Sequence, residues 1–394
     1  MRIRQTIAIC VCSFALLLAS ATDGAEPPSG GDLTALANSY FSSTTNVHFA
    51  GTPTALWAAV LGVRRGGRAY AARVFTRGVG EGWSALPAPP GRVGAGVRFQ
   101  VADNVGSPCL KFLDERGRPR LPCWTGRGWR DLRLVGAFAR GMTPVDMTSV
   151  RRRPTVLLYD RKKLRVVRWA GRRWVRMGSD LRHSTRRPSF GEANDGTPTI
   201  GFDMSRGRAR VRAAYELRRG HWNHLADVVL HGSGPSQSGP VIDGRVALSA
   251  VVNARGNDWP LYAVVADRHA QQIITGHALN EGPGAAQGSV FLADRGAWAI
   301  WQQNAQRRDG LFDTRIILRP IDIAGGSAGP SRLLWSGVSN GPGDLQVLDA
   351  LGGSWVAYMP AQQRSARREV AIEPLTTASQ PGLRRAGPRD RPVR

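Results

Sequence analysis

Four tryptophans recur at nearly constant intervals in the N-terminal part of the chain. They lie 46, 45 and 48 residues apart, and a glycine precedes each of them by one to three positions. Intervals of this length are typical of the blades of a β-propeller. The repeat therefore indicates a fold made of similar units placed side by side. The four residues are Trp83, Trp129, Trp174 and Trp222.

Residues 143–181 are the clearest copy of the repeat. They contain four short segments rich in β-branched or aromatic residues, at 143–150, 155–160, 164–169 and 174–181. Such segments are typical of β-strands, and the short polar breaks between them are typical of turns between antiparallel neighbours. Each unit is therefore predicted to be a four-stranded antiparallel meander.

Aspartates recur in phase with the tryptophans. One set follows the first strand of a unit, and a second set of Asp or Asn closes the second strand. Asp and Asn end strands and favour tight turns, so we expect these residues to be structural rather than catalytic. The first set is Asp103, Asp195, Asp243, Asp294 and Asp349, and the second is Asp114, Asp160, Asp203 and Asn253.

The marks divide the chain into seven units. The last unit holds only three predicted strands, and a ring of blades leaves sheet edges exposed unless its ends meet. We therefore predict an all-β fold, a β-propeller of seven four-stranded blades, closed by an N-terminal strand from residues 33–41. Six or eight blades are the alternatives. The units are 46–90, 91–136, 142–184, 187–232, 237–281, 285–338 and 343–376.

The N-terminus has the charge and hydropathy of a signal peptide. Arg2 and Arg4 precede an apolar segment at 7–18, and small residues follow at 19–21. We therefore expect an exported protein, periplasmic or extracellular, with an uncleaved N-terminal anchor as the alternative. The predicted organisation is a signal peptide at 1–21, a leader and closing strand at 22–45, the propeller at 46–376 and a disordered basic tail at 377–394.

Two cysteines flank a predicted hairpin. Cys109 and Cys123 are equidistant from its central residue, Arg116, so an antiparallel register places them opposite each other. An exported compartment permits the pair to oxidise, and a loop of this size contributes about 3 kcal/mol on the chain-entropy model. No further Cys or His lies nearby at ligand spacing, so we predict a disulfide and no metal site.

The formal net charge is +25, and only three of the basic residues are lysines. Such a field favours anionic partners, although a solvated basic surface without a ligand is the alternative. The charge is densest at 151–187, and propeller topology divides it between two faces. Residues 151–153, 172 and 173 are expected on one face. The other face, where propellers bind ligands, is predicted to hold Arg161, Lys162, Lys163, Arg182, His183, Arg186 and Arg187.

The tryptophans have two expected roles. Trp129, Trp169 and Trp174 lie in the closing strands of their units, where we expect them to pack between blades. Trp259 lies in a predicted turn beside Asp258 and is expected to be exposed, so it is a candidate for stacking on a sugar or anchoring a partner.

Residues 91–232 resemble an exported bacterial propeller repeat. Its first strand carries an Asp such as Asp146, Pro154 opens a strand that ends at Asp160, and a strand ending in Trp169 precedes Trp174. The pattern is similar to that of sialidase-like (BNR-type) propellers, which implies a propeller fold. No unit carries their Ser-x-Asp-x-Gly-x-Thr-Trp Asp-box, so the resemblance assigns no catalytic residue here.

The sequence contains no nucleophile elbow, His-Glu-x-x-His motif, phosphate-binding loop or dinucleotide fingerprint. We therefore expect an exported, non-enzymatic propeller that binds a protein or an anionic polymer, such as a polysaccharide, through a loop face, as a monomer without a cofactor. The alternative is a sialidase-like or other glycoside hydrolase whose carboxylates converge in the central cavity. Nucleic acid is disfavoured as a partner, and peripheral contact with an anionic membrane surface is left open.

Overall fold

The chain folds as an all-β propeller of seven antiparallel blades built on a four-stranded meander, as the repeat predicts. The part of the chain described by this computed structural model contains no helix long and apolar enough to cross a membrane. The described residues are 32–94, 99–134, 141–160, 162–182, 188–193, 195–229, 237–242, 244–251, 261–269, 271–273, 285–293, 296–362 and 370–375.

The first four blades follow the predicted units closely. Blade 1 contains β1 (Phe41–Thr52), β2 (Ala55–Arg64), β3 (Tyr70–Gly78) and β4 (Ser84–Ala85). Blade 2 contains β5 (Gln100–Asp103), β6 (Pro108–Leu113), β7 (Pro119–Arg120), β8 (Pro122–Trp124) and β9 (Trp129–Asp131). Blade 3 contains β10 (Thr143–Val150), β11 (Arg153–Tyr159), β12 (Lys163–Trp169) and β13 (Trp174–Arg182). Blade 4 contains β14 (Ser189–Glu192), β15 (Pro198–Arg206), β16 (Ala209–Arg218) and β17 (His221–Val229).

The last three blades include one strand shared between neighbours. Residues 332–339 of β26 pair with blade 6, and residues 344–350 of the same strand pair with blade 7. Blade 5 contains β18 (Gln237–Ile242), β19 (Arg245–Val251), β20 (Leu261–Ala266) and β21 (Gln271–Ile273). Blades 6 and 7 contain β22 (Ala285–Ala293), β23 (Gly296–Gln306), β24 (Phe312–Asp322), β25 (Ser327–Ala328), β26 (Arg332–Ala350), β27 (Gly353–Gln362) and β28 (Ala371–Pro374).

The inner strands of successive blades run parallel around the axis. Between blades 2 and 3, Gln100 bonds to Asp146, and the Asp103 N–H donates to Ser149 Oγ at 2.6 Å. The two contacts have the same sequence offset, which fixes a parallel register. Every blade therefore presents its corresponding turns on the same side of the disc.

The recurring tryptophans join neighbouring blades, as predicted for Trp129 and Trp174, and Trp222 does the same. Three indole N–H groups each donate to a backbone carbonyl of the preceding blade, and Trp169 packs edge-on against Trp174 at 5.5 Å. The indole nitrogen therefore has a partner while the ring fills the space between two sheets. The bonds join Trp129 to Pro87 (2.6 Å), Trp174 to Leu132 (3.3 Å) and Trp222 to Ser179 (2.9 Å).

Side chains join the last blade to the first. The Asp344 carboxylate accepts from Asn46 Nδ2 and from the Val47 N–H, both at 2.9 Å. Gln346 accepts from the Phe49 N–H at 2.9 Å and donates to its carbonyl at 2.6 Å. The inner strands β1 and β26 thus meet directly, and the ring closes.

The prediction of a closing strand at residues 33–41 is wrong, because Leu33–Tyr40 form an α-helix, α1. Asp32 caps its N-terminus by accepting from the Thr34 N–H at 3.1 Å. Leu33, Leu36 and Ala37 are buried at helical spacing. The cap and this spacing were the local signals for a helix, and the expectation of a missing strand concealed them.

Helix α1 packs between blades 1 and 7. Its apolar face lies in one cluster with Phe75 of blade 1 and Met359 of blade 7. Thr34 Oγ1 donates to the Val370 carbonyl at 3.2 Å and accepts from the Val370 N–H at 3.0 Å. The segment therefore contributes to closure as a wedge rather than as a strand.

The predicted disulfide is present. Cys109 of β6 and Cys123 of β8 lie opposite each other in the antiparallel register and are bonded. Both are buried among residues of blades 2 and 3. The bond holds the base of the hairpin whose turn contains Arg116.

Candidate anion-binding face

The turns between the second and third strands of the blades open on one side of the disc. We call this side the basic-turn face and define it by the turns at 64–69, 114–118, 160–163, 206–209 and 307–311. Each described turn of this kind contains at least two Arg or Lys residues. The fold therefore gathers cations from blades 1, 2, 3, 4 and 6 onto one surface.

Aspartates shape two of these turns and leave the basic side chains at the tip. Asp114 Oδ1 accepts from the Arg116 and Arg118 N–H groups at 3.0 and 2.9 Å. Asp160 Oδ1 accepts from the Lys162 and Lys163 N–H groups at 2.8 and 2.9 Å. Because the carboxylates bind backbone, these aspartates are structural, as the sequence predicts. The Arg118 N–H also helps to hold the pKa of Asp114 below its ordinary value.

One cation in each of four turns is tied to an acid. The pairs are Arg118 with Asp114 (2.8 Å), Lys163 with Asp160 (3.9 Å), Arg206 with Asp227 (2.8 Å) and Arg307 with Asp313 (2.9 Å). These pairs hold the turns but cancel part of their charge. A ligand must therefore use other cations.

Each of the five turns contributes an exposed cation at its tip that forms no ion pair with another residue in the described part of the chain. We call them the turn-tip cations: Arg68, Arg116, Lys162, Arg208 and Arg308. They belong to five different blades, so the unpaired charge is distributed around the ring.

Three residues predicted for the ligand-binding face lie together in blade 3. Lys163 opposes Arg182 across β12 and β13, and Lys162 is at the adjacent turn. Lys162 and Arg182 are exposed, whereas Lys163 lies 3.7 Å from Asp180. The structure thus brings the three predicted cations together and divides them into one paired and two exposed side chains.

Two arginines of blade 3 already neutralise Asp180. Arg165 binds it through two bonds of 2.8 and 2.6 Å, and Arg176 lies 3.1 Å away. The hydrogen bonds from Arg165 hold the pKa of the Asp180 carboxyl below its ordinary value, because they stabilise the ionised form. The local charge beside Lys162 and Arg182 remains positive.

The other predicted binding residues lie outside the described residues. They are Arg161, His183, Arg186, Arg187 and Trp259.

Sequence reasoning missed the equivalent turns of the other blades. The prediction concentrated on residues 151–187, where cations are dense, although Arg116, Arg208 and Arg308 occupy the same topological position as Lys162. Their common position after the second strand was the available signal. Residues 151–152 and 172–173 lie in turns on the opposite side of the disc, as predicted.

Two described inner-strand carboxylates join neighbouring blades by accepting backbone hydrogen bonds. Asp146 accepts from the Phe190 N–H of blade 4 at 3.0 Å and from the Met147 N–H at 2.9 Å. Asp344 makes the corresponding contacts from blade 7 to blade 1. Within the described ranges, no group of three or more His, Cys, Asp or Glu side chains is placed to hold a metal ion.

The sequence matches no protein-family model and no curated protein. Among solved structures, the chain is similar to an ulvan lyase, a polysaccharide lyase, at 11% identity over 84% of this chain and 94% of that chain, with a TM-score of 0.51. It is also similar to the propeller domain of the Trilobed protease from Pyrococcus furiosus, at 8% identity over 85% and 96%, with a TM-score of 0.48. A sialidase from Trypanosoma rangeli matches at 13% identity over 73% of this chain and 55% of that chain, with a TM-score of 0.44. At such identities the likeness to the lyase shows the propeller fold alone.

Proposed function

We propose that the protein is a binding propeller that holds an anionic polymer across its basic-turn face. The observation that carries the proposal is the set of turn-tip cations, one from each of five blades. A polymer that crosses several blades can contact several of them at once, so individually weak contacts combine. We favour an acidic polysaccharide, because the predicted export would bring the protein to such polymers.

The proposal does not require an enzyme. The carboxylates Asp146 and Asp344 are occupied by backbone N–H groups of neighbouring blades. A glycosidase needs one carboxyl group as an acid and another as a base or nucleophile, both free to reach the sugar. The glycoside hydrolase alternative therefore becomes an outcome of the test.

Chromatography of the full chain on heparin tests the proposal. We expect retention that weakens with salt, and weakens again when Arg161, Lys162 and Lys163 are changed to Ala. Retention that does not depend on salt would contradict it. So would cleavage of a glycoside that is lost when Asp146 or Asp344 is changed to Asn.

A further inference from the structure

We propose that a cavity between blades 1 and 2 is a subsite for one acidic sugar residue, an inference that rests on the proposed polymer-binding function. The cavity measures about 610 Å³ and opens beside the turn between β2 and β3. Its second wall is the segment 88–92, which leads from blade 1 to blade 2. Ligand pockets in proteins span about 300–1,000 Å³, so the space suits a sugar ring with its substituents.

Arginine supplies the polar lining. Arg64, Arg65, Arg68 and Arg92 all border the cavity, and none of its described lining residues is acidic. A guanidinium offers parallel N–H donors that match a carboxylate or a sulfate. Glu115 lies 3.7 Å from Arg92, but this pair is exposed on both sides, so a ligand can replace it at small cost. The lining therefore selects a negatively charged group.

The remaining wall is apolar. Tyr70, Ala88 and Pro89 border the same space, and Tyr70 packs at the edge of the core between blades 1 and 2. The C–H face of a pyranose packs on such a surface while its acidic substituent turns to the arginines. A bare inorganic anion would leave this wall unused, which favours an acidic sugar.

The cavity is held open before a ligand arrives. The Arg65 N–H donates to the Tyr40 carbonyl at 3.0 Å, and Arg65 Nη2 donates to the Asn38 carbonyl at 2.5 Å. The turn is thus fastened to the end of α1. Gly66 has a φ of 75°, a conformation that glycine adopts without strain, and a Cβ there would meet nothing within 4 Å. A preformed site loses less conformational entropy on binding.

A second cavity of similar size has a lining of different charge. The space beside the other end of α1 measures about 650 Å³ and is bordered by Asp32, Arg77 and Glu373. Two carboxylates and one arginine give it no preference for an anion. Size alone therefore does not distinguish the two cavities, whereas charge does.

Calorimetric titration of the full chain with tetrasaccharides tests the subsite. The probes are an unsulfated glucuronate-containing tetrasaccharide, a sulfated one from heparin, and neutral maltotetraose. The pocket variant is Arg68→Gln with Arg92→Gln, and the matched control is Arg172→Gln with Arg173→Gln, which removes the same formal charge from the opposite face. We expect the pocket variant to weaken binding of an acidic tetrasaccharide about tenfold or more, and the control less than about twofold.

The outcomes separate the subsite from the wider proposal. Binding of either acidic tetrasaccharide that is lost in the pocket variant supports the subsite, and the tighter ligand identifies the acid group. Equal losses in both variants, or equal binding of maltotetraose, would overturn the subsite. Heparin retention would still test the polymer-binding function separately. Unchanged melting temperatures in both variants verify that the fold is intact.

Discussion

Some loop arginines on the face opposite the basic-turn face join neighbouring blades, whereas the turn-tip cations do not. On the opposite face, Arg152 Nε lies 3.1 Å from the buried Asp103 of the preceding blade, and its carbonyl accepts from the Val105 N–H at 2.9 Å. The Arg151 N–H donates to Glu192 of the following blade at 3.1 Å. On the basic-turn face, the turn-tip cations point into solvent. The difference teaches that an acid within reach, rather than the arginine itself, decides whether a loop cation joins blades or remains available.

The largest expected effect comes from removing a carboxylate on the opposite face. Asp103→Ala leaves the Gly106 N–H and Arg152 without their acceptor, so we expect the free energy of unfolding to fall by about 2 kcal/mol. Heparin retention should hardly change. Chemical denaturation and salt elution measure the two effects.

The matched control is Asp309→Ala on the basic-turn face. It adds the same positive charge, but Asp309 is half exposed and pairs with Arg307 at 3.4 Å, so stability should change by less than about 0.5 kcal/mol. Retention should increase slightly, because Arg307 loses an acid neighbour. A stability loss equal to that of Asp103→Ala would break the comparison.

The pH dependence gives an effect of intermediate size. Burial, with the charge of Lys111, lowers the pKa of His48 to about 4. His48 Nδ1 accepts from the Val101 N–H at 3.3 Å, which requires the neutral ring. Between that pKa and the ordinary value of 6.5, mainly the unfolded chain binds the proton, so stability is highest above pH 6.5 and falls by roughly 1.5 kcal/mol from pH 6.5 to pH 5.

Binding should not follow this pH dependence, because arginine and lysine remain charged throughout the range. His48→Gln is expected to flatten stability between pH 6.5 and 5, while heparin retention stays constant in both proteins. A wild-type stability that is flat over this range would contradict the assignment to His48.

The smallest effect compares two arginines of one blade. Arg208 lies in the turn between β15 and β16, and Arg219 in the turn between β16 and β17. Arg208→Gln should weaken heparin binding by about 0.5 kcal/mol and so lower the salt concentration that elutes the protein. Arg219→Gln should leave that concentration unchanged. Equal shifts would mean that net charge, and not the face, governs binding.

The fold could be predicted from the sequence to a large degree, because its signals are local. Trp129 and Trp174 mark the period, and Asp114 and Asp160 mark turns that the structure forms with their carboxylates. Asp203 differs from the prediction. It is buried and binds Arg212 at 2.8 Å instead of capping a turn, and this depends on side chains that meet only after folding.

The site was less accessible to sequence reasoning. Blade 3 attracted the prediction because its cations are adjacent in the chain, whereas Arg68, Arg208 and Arg308 come onto the same face as that blade only through the ring. The arginine-lined cavity depends on α1, which fastens Arg65 and which the sequence reasoning assigned as a strand. Most features of the site that sequence reasoning missed therefore depend on residues that come together only when the ring closes.

The salt dependence of heparin affinity in two matched variants tests the central claim most directly. One variant replaces Arg116, Lys162, Arg208 and Arg308 with Gln. The other replaces four arginines on the opposite face, where the last two strands of a blade are joined, so both lose the same formal charge; they are Arg127, Arg172, Arg173 and Arg219. For the first, we predict that the slope of log affinity against log salt becomes shallower by roughly two to four units. The second should keep the wild-type slope to within about one unit. Equal slopes in the two variants would contradict binding by the basic-turn face.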